Sequence, residues 1–379
     1  MKVAYISSSA IPSSSANSIH VMKMCQAFGV NGHEVTLFAP DKKRESDPKV
    51  VNIYLYYNVK EIFNLIKASW FPVKGKGYIY GWVSSRKAIK FKPDLVFCRN
   101  LAGCFFSAMA GQVVVFESHA PVSYDGAISR WMFLRLIHSS SFKYLVVITH
   151  ELADHYIKNY PELKGRVLVA PDAADPLPAQ VMPSKKASNE GFNVGYVGQL
   201  YSGKGMEVVS QLARRCSWAN FHVVGGEVND LKYWAKTCEG ITNITFHGFV
   251  PPAEVASFIY AFDVVLLPNQ CSVKARGEKR DIGRWTSPLK AFEYMAAGKP
   301  IIASDLPVLR EVLEDGVNSL LCSAGDLEAW ENALKQLYDN EGKRHKLGEA
   351  AYKVFMENYT WRERANKIMQ RFEAHMGSR

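Results

Sequence analysis

The feature that most constrains this chain is a strand-and-helix alternation that begins twice. Short apolar runs at Val3–Ser7, Val35–Ala39, Leu95–Cys98, Val113–Phe116 and Leu145–Ile148 are separated by longer stretches of helical spacing such as Ser18–Val30. Runs that are apolar throughout suit strands buried on both faces, and the helices between them make the crossovers of a parallel sheet. Asn31-Gly32 stops the first helix, because glycine takes the left-handed conformation that closes one. Between Val169 and Asn193 four prolines among small and polar residues break the pattern. It then restarts with strand Asn193–Val197, glycine-rich loop Gly198–Gly205, helix Met206–Arg215 and strand Phe221–Val224. The expected fold class is α/β: a Rossmann-like domain over 1–170, a linker at 171–191, and a second Rossmann-like domain over 192–355 facing the first across a cleft. At about 150 residues per domain, 379 residues leave room for both. From Asp326 the pattern is helical, with Trp330, Leu334, Leu337 and Tyr338 on one face and Trp361, Ile368, Met369 and Phe372 on another. Residues 356–379 are expected to form a C-terminal helix packing back on the first domain.

Charge narrows the partners. Lysine plus arginine exceed aspartate plus glutamate, 46 to 36, and the net +10 favours an anionic partner: nucleic acid, lipid headgroups or phosphorylated small molecules. The basic residues lie among apolar ones and no recognition motif is present, so nucleic acid is not expected. Seven cysteines without a CxxC pair give neither a zinc site nor a disulfide framework, and reduced thiols imply a cytoplasmic protein. The opening MKVAYISSSA runs into serine and proline before a signal-peptide core forms. Leu101–Phe116 is uncharged but shorter than the roughly 20 residues of a spanning helix, so any membrane contact is expected to be peripheral, at the inner face.

Three loops can carry chemistry. Gly198-Gln-Leu-Tyr-Ser-Gly203-Lys204-Gly205 lies between strand and helix, where free amides and the helix dipole attract phosphate and a lysine adds a full charge. It is not a P-loop, because Gly205 stands where the magnesium-binding hydroxyl belongs, and a plain glycine turn with a solvated lysine is the alternative. In the first half, Ser15, Ala16 and Asn17 open the equivalent loop, although Asn17 or Ser18 can simply cap the helix. In the third loop, Ser287 reads as the cap of a helix whose first position is Pro288, with Glu293 within two turns. An anion at that tip and a hydroxyl acceptor further along make a nucleotide arrangement, against a plain helix with a surface glutamate.

The residues then carry a resemblance. Ser287-Pro-Leu-Lys, Glu293-Tyr-Met-Ala-Ala-Gly-Lys-Pro-Ile-Ile-Ala-Ser-Asp-Leu-Pro, Leu309-Arg-Glu-Val and Asp315-Gly-Val-Asn resemble the donor half of the retaining family 4 glycosyltransferases, also called group 1. Asn31-Gly-His-Glu-Val-Thr-Leu, Pro93-Asp-Leu-Val, Glu117-Ser-His119, Gly195-Tyr-Val-Gly and Tyr359-Thr-Trp-Arg-Glu-Arg-Ala extend it over most of the chain. The resemblance implies a GT-B architecture, no metal and no cofactor beyond a nucleotide-sugar donor, a UDP- or GDP-sugar, with a glycan or lipid-linked acceptor at the first domain. On it, Lys204 neutralises the donor diphosphate, with Gly198 and Gln199 of the same loop and Ser287, Pro288 and Leu289 of the third loop also binding the donor, the amides around Pro288 to Lys290 bind its phosphates, Glu293 accepts from the ribose, and His119 sits beside the transferred sugar. Bacterial surface polysaccharide assembly is the implied setting.

Three positions depart from the family pattern: Gln199 replaces an arginine, Trp285 the first of two glutamates, and Ser15-Ala16 a glycine pair. Arg276, Lys279, Arg280 and Arg284 precede the donor helix and offer replacement charge, or form a solvated basic loop. Glu117 reads as orienting its loop. Basic and aromatic residues interleave over Lys60–Lys92 and Arg130–Arg135, a mixture suited to anionic headgroups or to a solvated surface over core helices. An epimerase or hydrolase acting on sugar nucleotides, and a relative that binds without turnover, remain open beside the transferase.

Overall fold

The computed structural model describes residues 1–42, 46, 50–71, 73–177, 182–187, 190–273, 281 and 283–377. The chain forms two compact units, Met1–Asp172 together with Trp361–Arg379, and Ala173–Thr360. The first division falls two residues beyond position 170. The second falls after Thr360, so that residues 356–358 end one helix and Trp361 begins the next.

Unit 1 alternates strand and helix from its first residues: β1 (Lys2–Ile6), α1 (Ala16–Val30), β2 (Glu34–Pro40), α2 (Ile53–Tyr56), β3 (Asn64–Ala68) and α3 (Lys76–Lys90). It continues with β4 (Leu95–Cys98), α4 (Leu101–Met109), β5 (Val114–Ser118), α5 (Ala127–Ile137), β6 (Phe142–Val147), α6 (His150–Asn159) and β7 (Val167–Val169). These seven strands form one parallel sheet in the order β3-β2-β1-β4-β5-β6-β7. Because the chain works outward from β1 first in one direction and then in the other, crossovers diverge at the carboxyl ends of β1 and β4 and leave a crevice there.

In unit 2 the first half runs β8 (Phe192–Val197), α7 (Met206–Arg215), β9 (Ala219–Val224), α8 (Val228–Thr237), β10 (Ile244–Gly248) and α9 (Pro252–Ala261). The second half runs β11 (Val264–Leu267), α10 (Leu289–Ala296), β12 (Ile301–Ser304), α11 (Pro307–Arg310), β13 (Leu320–Cys322), α12 (Leu327–Asp339) and α13 (Glu341–Asn358). Its six strands are parallel in the order β10-β9-β8-β11-β12-β13, so the divergence lies between β8 and β11. One apolar layer, with Phe262, Phe292, Met295 and Phe355, and another, with Phe221, Leu212, Trp330 and Leu334, are both buried, which is why β11 reads as an unbroken apolar run.

The last helix, α14 (Trp361–Gly377), belongs to unit 1 and packs on α1. Its apolar stripe of Trp361, Ile368, Met369 and Phe372 is buried, and Ile368 O accepts from the Tyr144 hydroxyl on β6 at 2.6 Å. Of the other expected stripe, Trp330, Leu334 and Leu337 are buried while Tyr338 is 43% exposed.

Several expected elements shift. The first helix starts at Ala16, capped by Ser15, whose hydroxyl accepts from Ser18 N–H at 3.2 Å; Ser18 is the third helical residue, not the cap. Helix α10 starts at Leu289 with Pro288 in the cap position, one residue later than expected, because Pro288 has extended backbone (ψ 116°). Strand β5 extends through Glu117 and Ser118, which pair with Val146 and Val147. Strand β3 was not expected: its alternation of exposed and half-buried residues at the sheet edge gives no continuous apolar run. Among the described residues no helix is long and apolar enough to cross a membrane. The seven cysteines are free, all buried except Cys271.

Candidate active site

In unit 2 the expected donor residues lie on two segments anchored to the end of one strand. The loop after β8 needs two glycines with positive φ: Gly203 (+89°) and Gly205 (+88°) lie so close to the segment after β11 that a Cβ would stand 2.4 Å from Ser272 O and 1.9 Å from Pro268 O respectively. Tyr196, the penultimate residue of β8, donates its hydroxyl to Gln199 O (2.6 Å) and lies 3.2 Å from Lys204 O, tying both ends of the loop down. Its neighbour Val197 donates its N–H to the Tyr294 hydroxyl of α10 at 2.8 Å. Gly198 and Glu293 are therefore each one residue away from a hydrogen-bonded pair, and the glycine turn and α10 meet at the carboxyl end of β8.

Within that corner Lys204 is half-buried, its Nζ 5.5 Å from the centroid of the Tyr201 ring, and burial lowers its pKa from the usual lysine value. An arriving phosphate would favour the charged form again. Lys290 Nζ lies 2.5 Å from Glu293 Oε2, so one carboxylate oxygen is held by a cation on the previous turn. Pro288, Leu289 and Lys290 are half-buried and Ser287 buried, at a helix start where the Leu289 and Lys290 amides have no partner inside the helix and the Ala291 N–H goes to Pro288 O at 3.0 Å. Trp285, standing for the family's first glutamate, is buried, and the exposed Arg284 lies over its ring at 5.1 Å. Gln199, standing for the arginine, has a buried side-chain oxygen without a hydrogen-bond partner among the described residues. Arg276, Lys279 and Arg280 lie outside the described residues. A cavity of about 460 Å³ touches the glycine turn at Ser202 and Gly203 and is lined further by Glu207, Gln211 and Gln270; it is not lined by α10.

In unit 1, His119 follows β5 and belongs to a network that sequence reading reached only in part. Glu117 Oε1 lies 2.8 Å from His119 Nε2, 3.0 Å from His20 Nε2 on α1 and 2.7 Å from Arg364 Nη2 on α14. His20 Nδ1 in turn meets Asp172 Oδ1 at 2.7 Å. The His20 ring stacks edge-on against His119 and Trp361 at 4.9 and 5.0 Å. Burial alone would raise the Glu117 carboxyl, but Arg364, His20 and the bonds from both histidines outweigh it and hold it well below the usual carboxylate range. Burial, with the nearby Arg99 charge, lowers His119 to about 4 against the opposing pull of Glu117. His119 is thus neutral at pH 7 beside an ionised carboxylate, so Nε2 carries the proton toward Glu117 and Nδ1 is left as a bare acceptor. The ring lines a cavity of about 370 Å³ at the carboxyl ends of β1, β4 and β5.

The ligand atoms of His20, Glu117 and His119 lie within 4.8 Å of one another, a spacing that also suits a metal ion. Here Arg364 supplies the positive charge, and Oε1 already has three nitrogens within 3.0 Å. Ser15, Ala16 and Asn17 are exposed at the start of α1, with the Ser13, Ser15 and Ser18 hydroxyls bonded to one another. Residues 15–17, His119 and the residues of unit 2 are thus placed at strand carboxyl ends or helix starts of their own units. His20 and Asp172 went unread because no local motif marks them, and Arg364, though within the quoted Tyr359–Ala365 stretch, was given no role; Glu117 and Arg364 are 247 positions apart.

Two family models match in succession: Glycosyltransferase Family 4 over residues 18–176 and Glycosyl transferases group 1 over residues 180–354. The phosphatidyl-myo-inositol mannosyltransferase of Mycobacterium leprae is 33% identical over 133 residues, which is 35% of this chain and 32% of that protein. The match therefore spans about a third of that relative's length. Among solved structures, sucrose-phosphate synthase of Thermosynechococcus elongatus superposes with a TM-score of 0.73 over 100% of both chains at 16% identity. Anabaena HepE in complex with UDP-glucose does so with a TM-score of 0.71, covering 99% of this chain and 100% of that one, at 14% identity. With both halves matched in order and two parallel sheets of the corresponding fold, the chain belongs to the family 4, or group 1, glycosyltransferases and has the GT-B fold.

Proposed function

We propose that this chain is a retaining glycosyltransferase that moves a sugar from a UDP- or GDP-sugar to a glycan or lipid-linked acceptor in bacterial surface polysaccharide assembly. The observation that carries this reading is the meeting of the glycine turn and α10 at the end of β8, through Tyr196 and Tyr294. A diphosphate leaving group gathers negative charge as the glycosidic bond breaks, and preplaced amides and an ammonium lower that barrier without reorganising. In this reading Lys204 and the first-turn amides of α10 take the diphosphate. Glu293, steadied by Lys290, accepts from the ribose, and neutral His119 accepts a hydroxyl of the transferred sugar at Nδ1. HepE, a structural neighbour, is described with UDP-glucose bound, which supports a nucleotide-sugar donor. Neither a metal nor a further cofactor is part of the proposal.

Peripheral docking on anionic membrane at the cytoplasmic face belongs to the same reading. Helix α3 carries Lys76, Arg86, Lys87 and Lys90 and no acidic residue, with Trp82 53% exposed. On α5, Ile128 and Trp131 are exposed beside Arg130 and Arg135. The test of function is thermal stabilisation by UDP, GDP, ADP and their sugars, followed by release of nucleoside diphosphate with and without acceptor extract. Acceptor-dependent release supports the transferase. Acceptor-independent conversion favours an epimerase or hydrolase, and stabilisation without turnover a binding protein.

A further inference from the structure

The brace behind His119 is dry, and the ring it holds is not. The side chains of Glu117, His20 and Arg364 are at most 2% exposed, whereas that of His119 is 23% exposed and lines the cavity at the carboxyl ends of β1, β4 and β5. A buried ion pair is a weak source of stability, because desolvating both charges offsets most of their attraction. Packing alone therefore gives no reason to keep Glu117 and Arg364 as a charged pair beside the cavity. Arg364 is also tied along its whole fork. Nε donates to Pro171 O at 2.8 Å and Nη2 to Ala170 O at 3.0 Å, while Nη1 lies 3.1 Å from Met24 Sδ on α1. The same Nη2 donates to Glu117 Oε1 at 2.7 Å, the oxygen that lies 2.8 Å from His119 Nε2. A planar guanidinium meets these partners together, where an ammonium would reach only some of them.

The direction of the hydrogen bond between Glu117 and His119 depends on that arginine. An ionised carboxylate only accepts, so the imidazole proton sits on Nε2 and Nδ1 is left without one. Burial pushes the Glu117 carboxyl up, and of the influences that outweigh it Arg364 is the largest. The other groups facing Glu117 are His20, whose Nδ1 is taken by Asp172, and Tyr5 on β1, whose hydroxyl reaches Oε2 at 3.5 Å; Arg99 lines the cavity beside His119. Without the guanidinium the carboxyl takes a proton from solvent, its O–H donates to Nε2, and the imidazole proton moves to Nδ1. The ring then presents a donor where it had presented an acceptor.

We infer that Arg364, on the terminal helix α14, is a positioning residue for transfer: by keeping Glu117 an acceptor, it sets which nitrogen of His119 is bare toward the transferred sugar. The inference rests on the transferase reading and deepens its assignment of His119.

The test uses the full chain carrying isotope-labelled histidine. Long-range proton–nitrogen correlation spectra report the tautomer of His119, whose signals are identified by their absence from His119→Asn. Wild type should show Nε2–H alone, Arg364→Met a population with Nδ1–H, and Arg364→Lys a spectrum near wild type. In acceptor-dependent release of nucleoside diphosphate, Arg364→Met should lower kcat about tenfold or more with UDP affinity within about twofold, and Arg364→Lys should recover part of the loss. The double variant Glu117→Gln, Arg364→Met carries neither charge of the pair, so it should fold even where Arg364→Met does not. Its transfer should stay slow, because an amide can donate to Nε2 as well as accept from it. His119 held as Nε2–H alone in the folded Arg364→Met variants, or a wild-type kcat in the double variant, overturns the inference. The tautomer is read without substrate, so absence of acceptor-dependent release in wild type overturns the transferase reading alone.

Discussion

At the scale of single residues, much of the first unit's chemistry converges on one oxygen. Glu117 Oε1 gathers a guanidinium and two imidazoles, and this fixes which nitrogen of His119 is bare. Acid should therefore undo it. A histidine held at about 4, against about 6.5 when unfolded, contributes stability that is fully present above pH 6.5 and is lost as pH falls toward 4. Glu117, held low, adds loss in the same direction. The His119 share is at most about 3 kcal/mol. Melting temperatures measured between pH 7 and 4.5 should fall, less steeply in His119→Asn; an unchanged slope would contradict this account. In the second unit, Lys204→Ala and Glu293→Ala should each weaken UDP binding about tenfold or more by titration. His119→Ala should instead leave UDP affinity nearly intact and slow transfer about a hundredfold. His119, Lys204 and Glu293 were legible because each sits in a local motif. Arg364, His20 and Asp172 were not, since what selects them is a buried charge on a residue far away in the chain.

At the scale of elements, the strand-to-helix loops were readable because glycine, serine and proline set backbone geometry locally. The need for Gly205 became specific only with its neighbour in view. Alanine there keeps a positive φ at a cost of about 1–2 kcal/mol and also drives a Cβ into Pro268 O. Gly205→Ala should lower the melting temperature by several degrees and weaken UDP binding, whereas Gly240→Ala, with a similar φ and nothing near its Cβ, should show the thermal cost alone. Elements that escaped the sequence reading did so for physical reasons. Edge strand β3 is wetted on one side, and α10 starts one residue late because a proline with extended backbone can cap a helix as well as begin one.

At the scale of the whole molecule, alternation and a proline-rich break reveal two sheets, but not how surface charge is used. Docking on membrane predicts sedimentation with vesicles containing phosphatidylglycerol at low salt, lost as salt rises, and weakened in a Trp82→Ser, Trp131→Ser double variant. Absence of binding at low salt would end that part of the proposal. The first unit is assembled from two stretches of chain with the whole of the second unit threaded between them. A ribosome therefore delivers Glu117 and Asp172 long before the arginine that neutralises them, and every nascent chain spends the synthesis of residues 173–360 with the flank of α1 uncovered. A chain cut before α14 should therefore leave the flank of α1 open, and limited proteolysis should cut there faster than in the full chain.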